Sequence, residues 1–187
     1  MTTLIGVRHG ETEWNVAGRY QGQADPPLNA KGRAQAERVA AQLTGTHIDA
    51  IYSSDLQRAR ETAETIGRKL KLPVQIDKGL REINQGEWEG LLEADVQARY
   101  PRGWAARPSD SPNARAPGGA AVAQVTSRLR AAIDAIATKH PAETVLIVSH
   151  GLALATLLCR VRSVPLEEAR KQIPENCKPE IIEWVPA

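Results

Sequence analysis

Two histidines stand at equivalent places in this chain. Ile5-Gly6-Val7-Arg8-His9-Gly10 is echoed far downstream by Ile147-Val148-Ser149-His150-Gly151, so two short apolar runs each end in a His-Gly pair. In an open α/β sheet, ligands sit beyond the carboxyl ends of the strands. A glycine there lets backbone N–H groups approach an anion at the start of the following helix. Phosphate is the natural occupant. Arg8 adjoins the first histidine, Arg58 follows a third apolar run at Ile51-Tyr52, and the stretch from Lys78 to Gly90 carries Glu82 and Glu87 among glycines. Were the two His-Gly strands neighbours, their spacing of ~4.8 Å would bring both imidazoles to opposite sides of one small ligand.

These groups fit one chemistry. A neutral imidazole attacks phosphorus while cations hold the charge spread over the equatorial oxygens. Arginine suits the second task because its planar fork is always charged and can bind two oxygens at once. The leaving alkoxide needs a proton from a nearby carboxylic acid, and the same carboxylate can later activate water. Spacing alone does not separate Glu82 from Glu87 for that role. Glu11 and Glu13 read as charges at a helix N-terminus.

The elements that must position these groups alternate. Thr3–Val7, Ala50–Tyr52, Val74–Ile76 and Thr144–Val148 read as strands, and the run Ile181, Ile182, Trp184, Val185 as a last strand at a sheet edge. Between them, Ala30–Leu43 and Ser127–Ala137 show helical periodicity. A third helix is expected from Ser54, where Ser-Asp-Leu-Gln matches a capping box, to about Leu70. The pattern predicts an α/β fold, a three-layer α/β/α sandwich with a mostly parallel central sheet. The stretch 91–122 differs: Pro101, Pro108, Pro112, Pro117, Gly103 and Gly118-Gly119 break any regular element there. It reads as a lid or insertion, carrying Trp104 and the arginines Arg99, Arg102 and Arg107. Trp14 and Trp88 flank the candidate site in sequence and read mainly as packing.

Composition narrows the class. At 187 residues the chain suits a single domain, 1–187. A formal charge of +2 with scattered basic residues lacks the footprint of a nucleic-acid binder, so a small anionic partner is expected. Two cysteines without CxxC spacing, Cys159 and Cys177, fit free thiols in a reducing cytosol. The N-terminus shows neither a signal peptide nor a membrane span, and a cytoplasmic location is expected. His47 and His140 fall at predicted helix ends without evident partners and read as solvated or capping residues.

The likeness becomes specific at Arg8-His9-Gly10-Glu11-Thr12-Glu13-Trp14-Asn15, which resembles the RHGE[ST]xWN signature of the histidine phosphatase superfamily, the phosphoglycerate mutase-like enzymes. Further blocks follow in that family's order. They are Tyr20-Gln21-Gly22 with Pro27-Leu28 and Gly32, Ser54-Asp55-Leu56-Gln57-Arg58-Ala59 with Thr62-Ala63, Leu80-Arg81-Glu82 with Gly86-Glu87-Trp88-Glu89-Gly90, and Val148-Ser149-His150-Gly151. The resemblance implies His9 as phosphate acceptor, Glu82 as proton donor, and Arg8, Arg58 and His150 as the rest of the phosphate pocket. It also implies that Asn15, Gln21, Gly22 and Gly151 help hold the substrate, without metal or cofactor. Gly118-Gly119-Ala120-Ala121 departs from the Gly-Gly-Glu-Ser of many similar chains, which removes expected contacts. The chain is also shorter than the cofactor-dependent mutases, which favours hydrolysis of a small phosphorylated metabolite over mutase activity. Sugar phosphates, phosphoglycerate and α-ribazole phosphate are candidates by analogy. A mutase, a metal hydrolase and a silent phosphate-binding module are the rivals, no HxH or HExxH spacing supports the metal, and a homodimer stays open.

Overall fold

Alternation with a period of two makes the centre of this fold a sheet covered on both faces. In Thr144–Ser149, Val145 and Ile147 join one apolar cluster while Leu146 and Val148 join another, and all four are buried. A computed structural model of the chain describes residues 1–106 and 112–186. Its strands are β1 (Thr2–Arg8), β2 (Ala50–Ser53), β3 (Val74–Ile76), β4 (Thr144–Ser149) and β5 (Pro179–Trp184). Its helices are α1 (Glu13–Ala17), α2 (Ala30–Gln42), α3 (Gln57–Leu70), α4 (Glu93–Arg99), α5 (Pro101–Ala106), α6 (Val122–Lys139) and α7 (Gly151–Val161).

The sheet order is β3-β2-β4-β1-β5, parallel except for the antiparallel edge strand β5. Helices α2 and α3 cover Ile5, Val7, Ile51, Leu146 and Val148 on one face. On the other, α6 and α7 cover Leu4, Tyr52, Val145 and Ile147. This is the three-layer sandwich expected. β1 and β4 are neighbours, with Val7 opposite Val148 and Arg8 opposite Ser149. The two His-Gly pairs therefore leave the sheet side by side.

Three expectations are corrected. Ser54-Asp55-Leu56-Gln57 does not cap its helix, which starts at Gln57 with Leu56 as an N-cap that offers no side-chain bond. Ser54 Oγ accepts from Leu56 N at 3.3 Å and lies 2.9 Å from His150 Nε2, while Asp25 Oδ1 takes the Gln57 N–H at 2.6 Å. The helix expected at Ser127–Ala137 runs over Val122–Lys139, its start hidden in sequence because Ala121 carries no capping group. Gln124 Oε1 bonds the Ala121 N–H instead, at 2.8 Å.

The stretch 91–122 is also more regular than its prolines suggest. It holds α4 and α5, with Pro101 at the first position of α5, where the missing N–H costs nothing. Trp88, Val96 and Ala116 form a small core there, with Tyr20, Leu91, Tyr100 and Trp104 packed against it. Arg107 and Pro108 lie outside the described residues.

The start of α2 abuts the chain just after β1. A Cβ on Gly10 would meet the Gly32 carbonyl oxygen at 2.5 Å, and one on Gly32 would overlap the backbone of Glu11. Gly32→Ala should therefore cost about 1–3 kcal/mol, as overpacking does. Urea unfolding checks this, and an unchanged midpoint would contradict the contact.

Candidate active site

The His9 ring has two nitrogens and two different neighbours. Nδ1 lies 2.7 Å from the Gly10 carbonyl, which can only accept, so Nδ1 carries the proton. Nε2 is left with its lone pair, and Arg58 Nε donates to it at 3.3 Å. Burial, then Arg58 and Arg8, push the imidazole well below its usual range, so the ring is neutral. Tautomer and charge together make Nε2 a nucleophile.

Around it stand cations and a second imidazole. Arg58 is 0 % exposed although it lies in the first turn of a surface-covering helix. Its Nη1 and Nη2 donate at 2.7 Å each to the carbonyls of Ala24 and Gly22, and desolvation lowers its pKa to about 10. The His150 ring lies 5.2 Å from that of His9, centroid to centroid. A hydrogen given by Ser54 Oγ to His150 Nε2, 2.9 Å away, would leave the His150 proton on Nδ1. That Nδ1 and Arg8 Nε are both buried without a hydrogen-bond partner among the described residues. Arg8 Nη1 donates to Pro174 O at 2.9 Å, and a Cβ on Gly151 would touch the guanidinium, 3.4 Å from Nε, and press more closely on Ile173, at 3.0 Å.

Glu82 closes the other side. Its carboxylate accepts from Leu152 N and Ala153 N at 3.0 Å each and from Ile83 N at 2.9 Å. The anion at the start of α7 is thus Glu82's own carboxylate rather than the phosphate expected there, as the helix dipole and free N–H groups favour. Arg81 holds the neighbouring backbone by a two-pronged pair with Asp55, 2.7 Å on each prong. That pairing keeps the Asp55 carboxyl below its usual range. Arg128 Nη2 donates to the carbonyls of Arg81 at 2.6 Å and Glu82 at 3.1 Å, fixing the same turn from α6.

A cleft of about 660 Å³, measured out to its open mouth, is lined by Arg8, His9, Gln21, Gly22, Arg58, Glu82 and Gly151 among others. Gly22 has a φ of +53°, and a Cβ there would collide with Glu89, whose carboxylate also takes the Gln23 N–H at 2.8 Å. His150 is fully buried, its ring beside that of His9. Asn15 is also absent from that wall, and its Oδ1 caps α1 by accepting from Thr12 N at 3.1 Å. Gln21 Oε1 accepts from Thr12 Oγ1 at 3.0 Å. Glu87 points to solvent and bonds the Tyr100 hydroxyl at 2.9 Å, so geometry separates it from Glu82. Trp14 packs against Gly90, and neither it nor Trp104 lines the cleft.

Some residues of the site carried no signal of the part they play. Asn176 Nδ2 donates to the His9 carbonyl at 2.7 Å, Cys177 N to the Arg8 carbonyl at 2.9 Å, and Gly10 N to Thr62 Oγ1 at 3.0 Å. These bonds pin the chain where it leaves β1. Burial pushes the Cys177 thiol up to about 12, so it stays protonated beside Arg8. Both cysteines are free. His47 and His140 do have partners: Asp49 for the first, Tyr52 and Glu143 for the second. Among the described residues, no three His, Cys, Asp or Glu side chains gather as a metal would require, and no helix is long and apolar enough to cross a membrane.

Known proteins can be set beside this geometry. The sequence model of the histidine phosphatase superfamily (branch 1) matches residues 4–186. Phosphoserine phosphatase 1 of Hydrogenobacter thermophilus is 36% identical over 171 residues, 90% of this chain and 80% of that protein. A protein named probable phosphoglycerate mutase GpmB, from Proteus mirabilis, is 37% identical over 177 residues, 95% of this chain and 82% of its own length. A mycobacterial glucosyl-3-phosphoglycerate phosphatase, solved with VO3, superposes with a TM-score of 0.87 at 30% identity, covering 97% of this chain and 90% of that one.

Two buried neutral imidazoles have a consequence for stability. Burial holds both His9 and His150 well below 6.5, the value each regains on unfolding. The unfolded chain therefore binds more protons than the folded one as pH falls below about 6.5, and native stability declines in that window. Urea unfolding between pH 7 and pH 5 should show this decline, and His150→Gln should make it shallower. An identical slope in the variant would contradict the assignment.

Proposed function

The chain belongs to the histidine phosphatase superfamily, branch 1, and on that footing we propose that it is a phosphatase that hydrolyses small-molecule phosphate monoesters through a phosphohistidine on His9. One observation carries the reading. The lone pair of a neutral His9 Nε2 faces a cleft beside Arg58, while Arg8 Nε and His150 Nδ1 stand buried without partners next to it. A tetrahedral dianion is what such donors fit, since unpaired buried polar groups are costly until an acceptor arrives.

The steps follow from those positions. A phosphoryl oxygen draws the Arg58 N–H away from Nε2, and the freed lone pair attacks phosphorus in line with the ester oxygen. The N–P bond forms as the P–O bond breaks, and charge on the equatorial oxygens is held by Arg8, Arg58 and His150. A monoester that arrives with one proton on its phosphate passes that proton to the Glu82 carboxylate, which gives it to the departing alkoxide. Glu82 then takes one from water, whose oxygen displaces phosphate from His9 and restores the neutral ring. Gln21, Gly22 and Gly151 shape the cleft, and Asn15 acts through the α1 cap rather than by direct contact. We read 1–187 as one domain, with residues 91–122 as a cover beside the cleft. The modest charge and the absence of a basic run support a small metabolite as partner, and the two free cysteines support a reducing, cytoplasmic setting.

The relative named as a mutase keeps one second reading in view, transfer of the phosphoryl group back to a substrate hydroxyl. Incubation with 3-phosphoglycerate and a bisphosphoglycerate primer separates the two. Free phosphate is expected, and isomerised product would move the assignment to a mutase.

Turnover of a panel of phosphate esters, unaffected by chelator, is the direct test. His9→Ala should abolish it, and substantial residual activity would reject this nucleophile. Glu82→Gln should slow alkyl esters by 10²-fold or more, roughly the contribution of a general acid, and p-nitrophenyl phosphate much less. Equal losses on both would count against the acid role.

A further inference from the structure

Glu82 sits on backbone that no helix or strand supports. A short 3₁₀ turn at Lys78–Leu80 ends before it, and another at Gly86–Trp88 begins after it. Its carboxylate is tied to Ile83 N and to the first turn of α7, but the main chain that carries it must be held from outside. Ser149 Oγ donates to the Leu80 carbonyl at 2.7 Å, and Gln23 Nε2 to the Glu82 carbonyl at 3.1 Å. Arg128 does more than either: one nitrogen, Nη2, reaches two successive carbonyls, Arg81 O at 2.6 Å and Glu82 O at 3.1 Å. It comes from α6, half-buried beside Val125 and Leu129 of that helix's buried stripe, and lines a hollow with Gln23, Asn84 and Gln124 rather than the His9 cleft. Burial lowers its pKa and the Glu82 charge opposes that, so the guanidinium lies within electrostatic reach of the carboxylate.

We propose that Arg128 is a positioning residue for the proton transfer at Glu82: it fixes the turn that aims the carboxylate at the leaving oxygen and touches neither the ester nor its phosphate. The inference rests on the phosphatase reading, in which Glu82 is the acid. A planar, permanently charged fork holds carbonyls more firmly than a neutral amide does. Without Arg128, Gln23 would still hold the Glu82 carbonyl, but the Arg81 carbonyl would keep no donor among the described residues. A misplacement of about 1 Å at a reacting group can cost about 10²-fold in rate, so slack in this turn is felt at the chemistry. The hydrogen bonds of Arg8, His9 and Arg58 do not run through Arg128, and the hold on phosphate is therefore separate from it.

Arg128→Met removes both bonds and keeps most of the bulk. It is compared with the native protein on p-nitrophenyl phosphate and on the alkyl phosphate of the panel that turns over fastest, through kcat/KM, which reads the steps up to departure of the alcohol. The alkyl ester should lose about tenfold, part of what a general acid contributes, and p-nitrophenyl phosphate less than about twofold. Inhibition by inorganic phosphate, which reads the His9 pocket alone, should change by less than about twofold. Equal losses on both esters would mean a merely structural role and overturn the proposal, while leaving the phosphatase reading intact. Should the methionine variant not fold, Arg128→Lys, which keeps the charge without the fork, is read the same way: an unequal loss supports the role and equal rates or equal losses reject it. Independently of turnover, the amide proton resonances of Leu152 and Ala153, both donors to the Glu82 carboxylate, should shift in the variant. If the native protein hydrolyses no ester of the panel, the phosphatase reading fails and these resonances decide whether Arg128 sets the place of Glu82: a shift supports it, and unmoved signals reject it.

Discussion

Everything at this site depends on keeping an imidazole uncharged within reach of two guanidinium ions. Protonating His9 would set three positive charges together in a space nearly closed to water, where their repulsion is weakly screened. Burial and the neighbouring arginines both drive the proton off, and the Gly10 carbonyl decides which nitrogen keeps the one that remains. The same positive field that suppresses the imidazolium attracts a phosphate dianion. One arrangement therefore prepares both the nucleophile and its electrophile.

Holding such a cluster without a ligand requires counter-interactions, and the fold supplies them from distant parts of the chain. Carbonyls of Gly22 and Ala24 satisfy Arg58, Pro174 satisfies part of Arg8, and Glu82 provides the negative charge nearest both. Glu82 is held by the first turn of α7, and that helix begins immediately after His150. Displacing any one of these segments disturbs the others. The adjacency of β1 and β4 sets the spacing of the two rings, and the close contact between Gly10 and Gly32 sets the path of the chain beyond β1.

Much of this was legible in the amino-acid sequence because it obeys short-range rules. Short apolar runs marked four strands, and the repeated His-Gly ending marked where they would deliver chemistry. Arg58 was readable from its place after a third strand, whereas Glu82 was separated from Glu87 only through the resemblance of its block, since one glutamate of two carries no local sign of its role. What stayed hidden depends on long-range contacts. Ser54 looks like a helix cap until the fold brings His150 to it, and nothing in the sequence marks Asn176 as the donor to the His9 carbonyl until the segment before β5 is laid beside the end of β1. The start of α6 was invisible because Ala121 has no side-chain acceptor, and the Glu82 carboxylate at α7 took a place that sequence logic had reserved for phosphate.

The central claim is that phosphorus passes through a bond to His9 Nε2. Rapid acid-free quenching of the enzyme with a labelled ester, followed by peptide mapping and 31P NMR, tests it directly. The account predicts one acid-labile phosphoryl group per chain, on His9 at Nε2, appearing and decaying within a turnover. Label on another residue, or turnover at full rate with no phosphoenzyme formed, would contradict it.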